Sequence, residues 1–377
     1  MMKKFKRIVL TLSVLVLIGI LAGCALAPKI SKPTVNQTHY ALGLRPMPKA
    51  FLNWWFGQIP KFNLDGTSDV KNKKPVGLIG PTDDIRSTQH VLNQPVSSNL
   101  PTDFNLKDYG LVTPVKYQGY NGTCWAFSTV GSLESAMLVQ LGPSGIQSRY
   151  PFIANSNSPD LSEQFVAYND ADWDISCGGD EPQSISYQET NKDDGGNQFF
   201  SFYDLVRRGV PLESDFPYKE TSQPWIVWDA QTGTWPYHLI KPSFTFVIES
   251  ASQFSEFSDY TTYINTVKSA IKKYGALSVT IAVYSDFFEN SGFYPGPSST
   301  AIFKGYHAIL LVGWDDDWTY NGQDYGPVWI LKNSWGTGWG DQGYWRQPMV
   351  TPSEFNSGKI LDWKIAGDYM WVPYFNK

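Results

Sequence analysis

The chain has 377 residues, 42% of them hydrophobic and 15% aromatic, with a formal net charge of −5. That is enough for one large domain or two lobes around a substantial core. Acids and bases are scattered along it, and the lack of a basic patch or long charge run excludes a nucleic-acid binder as the working reading.

The first residues form a basic head, Lys3, Lys4, Lys6 and Arg7, followed by an apolar run at 8–22. That run is short for a membrane span of about 20 residues and suits the apolar core of a signal peptide. It ends in Leu21-Ala22-Gly23-Cys24, which resembles a bacterial lipobox. The resemblance implies a signal peptide over 1–23 and an acylated Cys24 at the start of the mature chain. It also implies a lipid-anchored protein on the extracytoplasmic side of a cell envelope.

Residues 25–99 hold Pro, Asn, Lys and Asp around one aromatic run at 51–56, and no helical or strand period persists. They read as a linker and a candidate pro-segment, with Trp54, Trp55 and Phe56 expected to dock on the domain that begins at about residue 100. Cleavage near Leu100 would release a soluble protein. At 124–141 apolar residues recur at helical spacing, and Gly142-Pro143 is read as the stop. Residues 143–160 read as a loop. Ser162 is a candidate N-cap for a short helix, 170–196 as acidic loop, 199–208 as a helix closed by Gly209, and the stretch to about 250 as an inserted loop. A helix is predicted over 260–274, closed by Gly275. Strands are predicted over 277–284, 308–314 and 328–332. Helices first and strands later predict an α+β protein of two lobes.

Cys124 stands at the first turn of the 124–141 helix. The positive end of a helix dipole favours thiolate, the nucleophilic form of cysteine. A thiolate needs a base. Of the four histidines, His39 and His90 lie in the poorly patterned N-terminal part and His238 in the insertion. His307 opens the apolar strand "GYHAILLVGW". A histidine in that place is usually a polar boundary residue. Asn333, ending the next strand in "LKNSWGTGWGDQGYW", offers an amide that can hold an imidazole, with Trp335 placed to cover the bond. No two histidines stand at metal-ligand spacing and no Cys pair is formed, so neither metal nor cofactor is expected.

Together these stretches resemble the papain family of cysteine proteases over most of residues 100–346. "PVKYQGYNGTCWAF" is similar to the family's glutamine and nucleophile segment, and "LSEQ" to the start of its second helix. "DDGGNQ" and "GVPLESDFPY" are similar to its substrate-strand glycines and the segment after them. The last two strands carry its histidine and asparagine. The resemblance implies a papain-like two-lobe fold over 100–377, with a helical lobe, a β-barrel-like lobe and a site in the cleft between them. It implies a peptidase acting through an acyl-enzyme. Cys124 would be the nucleophile, His307 its base, Asn333 the residue that orients His307, and Gln118 an oxyanion donor. Trp335 would shield the His307–Asn333 pair, Gly195 and Gly196 would present backbone to an extended peptide, and Ala308 and Thr280 would line the adjoining pocket, near Asn197 and Gln198.

A transpeptidase or amidase on the same dyad, or a non-catalytic surface binding protein on the same scaffold, are the alternatives. The expected partners are a peptide or protein substrate and the membrane, with the protein a monomer. The sequence departs from the family at one bridge. Asn121 and, by alignment, Asn169 stand where most relatives pair two cysteines, which leaves Cys177 in an inserted loop without an expected partner.

Overall fold

The computed structural model describes residues 41–45, 61–62, 89–92, 99–168, 172–173, 185–186, 195–219, 237–248, 257, 259–365 and 369–376. For 61–62, 89–92, 172–173 and 185–186 only the backbone is described. The apolar run at 8–22, Cys24, the aromatic run at 51–56, Asn169 and Cys177 lie outside the described residues. No described helix is long and apolar enough to cross a membrane.

In chain order the elements are β1 (Lys61–Phe62), β2 (Gln89–Leu92), β3 (Asp103–Asn105), α1 (Cys124–Gln140), α2 (Gly142–Arg149), α3 (Glu163–Tyr168), β4 (Asp172–Trp173), β5 (Ile185–Ser186), α4 (Gln198–Arg207), β6 (Phe244–Ile248), α5 (Tyr260–Tyr274), β7 (Leu277–Tyr284), β8 (Phe303–Tyr320), β9 (Gln323–Lys332), β10 (Tyr344–Pro348), α6 (Pro352–Ser357) and β11 (Met370–Tyr374).

α1 is the axis. Its residues from Cys124 to Leu138 are all buried, so it is covered on every side and not along one stripe. Two apolar clusters meet on it. Trp125, Val130, Leu133 and Met137 pack with Phe199, Phe202 and Tyr203 of α4. A second cluster joins Val267 and Ile271 of α5 to the sheet through Leu277, Leu311, Trp329 and Trp345. This is the expected α+β division into a helical and a β-rich part.

The large sheet runs β1-β2-β6-β11-β7-β8-β9-β10, with β3 paired to β8. β1–β2 and β2–β6 are parallel, and the other pairs are antiparallel. The predicted strands at 308–314 and 328–332 are the inner parts of a longer hairpin. It turns at Asn321-Gly322, both at positive φ, as a two-residue turn between twisted strands requires.

Three predictions fail locally, the first being the loop at 170–196, which contains the antiparallel pair β4–β5. Residues 142–149 form α2 and not loop. Gly142, at φ +66°, reverses the chain, and Pro143 then occupies the first turn of a new helix, where its missing N–H costs nothing. The region read as inserted loop contains β6, which lies between β2 and β11. The sheet also reaches across residue 100, since β1 and β2 precede it.

β2 has a neighbour on each side, with Val91 paired to Lys61 of β1 and to Val247 of β6. Its backbone donors are therefore committed to the ladder. Val91→Pro in the full chain is expected to lower unfolding stability by about 1–3 kcal/mol, the cost of a lost bond and a stranded carbonyl. Denaturant unfolding of the two full-length chains measures it, and coincident curves would show that β2 carries no stability.

Candidate active site

Three elements converge at the N-terminus of α1. Cys124 opens the helix. β7 and β8 pair so that Ile281 faces His307 and Thr280 faces Ala308. β9 ends at Lys332, opposite Leu310 of β8, so Asn333 emerges beside the His307 end of that strand. Cys124, His307 and Asn333 are all buried.

The His307–Asn333 bond sets the tautomer. His307 Nε2 lies 2.8 Å from Asn333 Oδ1. The same oxygen accepts from the Ser334 N–H at 2.8 Å, which fixes which way the amide points. An acceptor oxygen requires a donor, so Nε2 carries the proton and Nδ1 keeps its lone pair. Nδ1 has no hydrogen-bond partner among the described residues. Trp335 lies over this pair, its ring stacked on His307 at 4.5 Å and 24°. Phe288 stacks on Trp335 in turn, at 5.7 Å.

Gln118 is held at four points. Its N–H donates to Ser334 O at 2.9 Å, and its carbonyl accepts from the Tyr218 hydroxyl at 2.8 Å. Its Oε1 accepts from Ser334 Oγ at 2.6 Å. One hydrogen of Nε2 goes to Asn121 O at 2.9 Å. The other points into the cleft, to Ala41 O at 3.2 Å.

The cleft is not open. Residues 41–45 lie along it. Gly196 N donates to Gly43 O at 2.9 Å, and Arg45 N donates to Gly196 O at 2.8 Å. Leu44 pairs parallel with Gly196 and antiparallel with Tyr306, the residue before His307. Asn197 adds a side-chain bond, Nδ2 to Arg45 O at 2.7 Å, while its Oδ1 caps α4 by accepting from Phe199 N. Trp335 Nε1 donates to Ala41 O at 3.3 Å. The fit is close at both surfaces. A Cβ on Gly43 would lie 2.0 Å from Gly122 O, and one on Gly195, at φ +75°, would lie 2.4 Å from Gly43 O. A Cβ on Gly196 would strike the Trp125 ring. Gly195 and Gly196 thus lie against an extended segment of the chain itself.

Covering the cleft decides the charges. Burial pushes the Cys124 thiol up to about 11, against the N–H groups of Ala308, Gly43, Trp125 and Cys124 that favour thiolate. Ala308 N is 3.5 Å from the sulfur. Burial also pushes His307 down to about 4, against the bond to Asn333. Under residues 41–45 the pair is therefore neutral thiol and neutral imidazole. The thiolate expected from the helix dipole alone is outweighed by desolvation.

Thr280 meets Ala308 in register and donates to Gln198 Oε1 at 2.9 Å. Gln198 in turn donates to Ser278 Oγ and Val279 O, so a polar strut stands behind this part of the cleft. Sequence reasoning missed a charged cluster on the inner side. Lys116 Nζ lies 3.0 Å from Glu134, 2.7 Å from Glu163 and 2.8 Å from Asp160. Burial disfavours its charge, but the three carboxylates outweigh that and hold Lys116 well above the usual range. Lys116, Glu134 and Glu163 line a cavity of about 20 Å³ together with Lys332, Asn333 and Ala308. The available signal was a glutamate, Glu134, set among apolar residues in the middle of α1. Of the other histidines, His238 stacks on Phe152 at 4.7 Å and His90 lies in β2. No cluster of metal-binding side chains occurs among the described residues.

The family model for papain family cysteine proteases matches residues 100–355. The probable cysteine protease RD19B of Arabidopsis thaliana is 31% identical over 255 residues, 66% of this chain and 58% of that protein. Mouse cathepsin S is 30% identical, with the same two shares. The match thus spans somewhat under three fifths of the length of both relatives. Among solved structures, procathepsin B S9 of Trypanosoma congolense superposes with a TM-score of 0.53 at 16% identity, covering 89% of this chain and 87% of that one. The ragweed pollen allergen Amb a 11, a cysteine protease in its proform, superposes with a TM-score of 0.50 at 20% identity, over 75% of this chain and 68% of that one. With its ordered motifs, its two-part fold and a family match over most of its length, the chain belongs to the papain family of cysteine proteases.

Proposed function

We propose that this protein is a cysteine peptidase held latent by its own residues 41–45. The observation that carries the reading is the position of Gly43. It lies in the cleft beside Cys124 with its carbonyl on the Gly196 N–H, while the carbonyl of Ala41, two residues before, takes the cleft-facing hydrogen of Gln118, as an extended peptide would. The Gly43 N–H is among the groups that act on the sulfur.

With the cleft free, each group has a step. The Cys124 thiol gives its proton to the free Nδ1 of His307, and the sulfur attacks the substrate carbonyl carbon. The carbonyl electrons move to oxygen, where the cleft-facing N–H of Gln118 stabilises the charge. His307 returns the proton to the departing amine, leaving a thioester. Water, deprotonated by His307, then attacks the thioester and frees the acid and the thiol. Asn333 keeps Nε2 protonated and the ring in place throughout. Residues 41–45 stand between the lipobox-like leader and the rest of the chain. One cut between Arg45 and Lys61 would open the cleft and separate the enzyme from a lipid anchor on Cys24.

Gly43→Ala cannot seat against Gly122, so full-length Gly43→Ala is expected to hydrolyse peptides at least about tenfold faster than the parent, equivalent to docking weakened by about 1.4 kcal/mol. Equal rates would end the latency reading, and turnover that survives Cys124→Ala in the same chain would end the peptidase reading. Gln118→Ala in the Gly43→Ala chain is expected to lower kcat by about 10²–10³-fold with little change in KM. A change confined to KM would place Gln118 in ground-state binding instead.

Acid should weaken latency. His307 sits near 4 in the covered cleft, against an ordinary 6.5. The covered form therefore binds fewer protons than the open one as pH falls from about 6.5 towards 4, and it loses stability across that window. Alkylation of Cys124 in the full-length parent reads the exposure. After correction for the reagent's own pH dependence it should quicken from pH 7 to pH 4.5, and a flat profile would exclude the linkage.

A further inference from the structure

The motif "GVPLESDFPY" ends in Tyr218, to which the reaction steps above give no part. We infer that Tyr218 is the positioning residue of the nucleophile turn. The inference rests on the peptidase reading of Cys124 and Gln118.

The Tyr218 hydroxyl reaches three points of the turn at 118–123. It donates to Gln118 O at 2.8 Å and accepts from Asn121 Nδ2 at 3.3 Å. Its single proton is committed to Gln118 O, so Thr123 Oγ1, at 2.8 Å, donates to it. The ring packs edge-on against Phe127 of α1 at 4.8 Å, which ties the hydroxyl to the helix that Cys124 begins. One oxygen thus fixes the residue that carries the oxyanion donor, the residue that stands where most relatives have a cysteine, and the residue that precedes the nucleophile.

The bond to Thr123 has a chemical consequence. Thr123 is the N-cap of α1, and its hydroxyl makes no capping bond, although threonine is a favoured capping residue. Turned to Tyr218, it leaves the first N–H groups of the helix uncapped. Those of Cys124 and Trp125 favour the thiolate form of the sulfur. A Thr123 hydroxyl free to rotate would compete for the donors at the helix end. Tyr218 holds it away and, through Gln118 O, sets the other wall of the oxyanion site.

The test uses the full-length chain with Gly43→Ala, so that the cleft is open, and compares it with the same chain carrying Tyr218→Phe, which keeps the ring against Phe127. Two readouts are taken: kcat corrected for the fraction of folded protein, and the pH dependence of Cys124 alkylation, which needs no peptidase activity. We expect the corrected kcat to fall about 10–100-fold with KM within about threefold, as misplacement of reacting groups does. The alkylation profile should move to higher pH, with a rate about tenfold lower at pH 7. Should Tyr218→Phe not fold, Thr123→Val and Asn121→Ala each remove one arm, and each is expected to lower the corrected kcat about 3–10-fold. Variants within twofold of the Gly43→Ala chain in both readouts would overturn the role of Tyr218. An inactive Gly43→Ala chain would overturn the peptidase reading instead, with the alkylation profile still deciding on Tyr218.

Discussion

A helix buried on every side must satisfy each polar group it carries, and this constraint organises the whole molecule. α1 has five buried polar side chains between Ser128 and Ser135, and each bonds outward to a different part of the chain. Ser128 donates to Ile309 O of β8, Ser132 to Ala276 O and Ser135 to Leu111 O. Thr129 bonds Ser201 of α4. Glu134 accepts from Thr113, Lys116 and the Leu161 N–H. Buried polar groups left unpaired are costly, so these bonds fix the rotation and depth of α1 against both cores. The orientation of Cys124 at its N-terminus follows from that.

The same logic accounts for the interior charges. Lys116, Glu134 and Glu163 line one cavity with Lys332 and Asn333. Lys332 is pushed down to about 8 by burial despite the nearby Glu134. Glu163 is pushed up to about 8 by burial, against the pull of Lys116. Ion pairs in such a place add little net stability, yet breaking one leaves a stranded charge. They act as a registry device that ties the segment before α1, through Lys116, to Glu134 of α1 and to Glu163 at the start of α3.

Much of this was legible in the sequence, because the informative features are local. The α5 boundaries match the predicted 260–274, since Asp259 caps one end and Gly275 closes the other. Ser162 caps α3 by accepting from Phe165 N as expected. Cys124 opens α1, Asn333 follows β9 and His307 lies near the start of β8, so the residues at the site come together where elements with readable periods begin or end. What escaped prediction depends on distant partners. Pro143 reads as a stop, yet it also starts α2, and only the apolar seat of Ile146 decides. β6 carries no signal beyond "FTFVI", and its place rests on pairing with β2 and β11. The extension of β8 and β9 is marked only by the turn signal Asn321-Gly322. Residues 41–45 have no period at all, because a segment laid through a cleft borrows its conformation from the walls. Tyr218 is one of 21 tyrosines, and its hydroxyl acquires meaning only when 118–123 folds beside it.

Five residues make a modest ligand. Three backbone bonds, side-chain bonds from Asn197, Gln118 and Trp335, and one leucine would bind the cleft weakly as a free peptide, since association carries an entropic cost that so few contacts hardly exceed. Joined to the same chain, they are present at an effective concentration on the order of millimolar, whatever the amount of protein. Occupancy is therefore independent of dilution while the chain is whole, and falls with dilution once it is cut. The segment needs no destruction for the cleft to clear. It has only to become a separate molecule, and the volume into which it escapes does the rest.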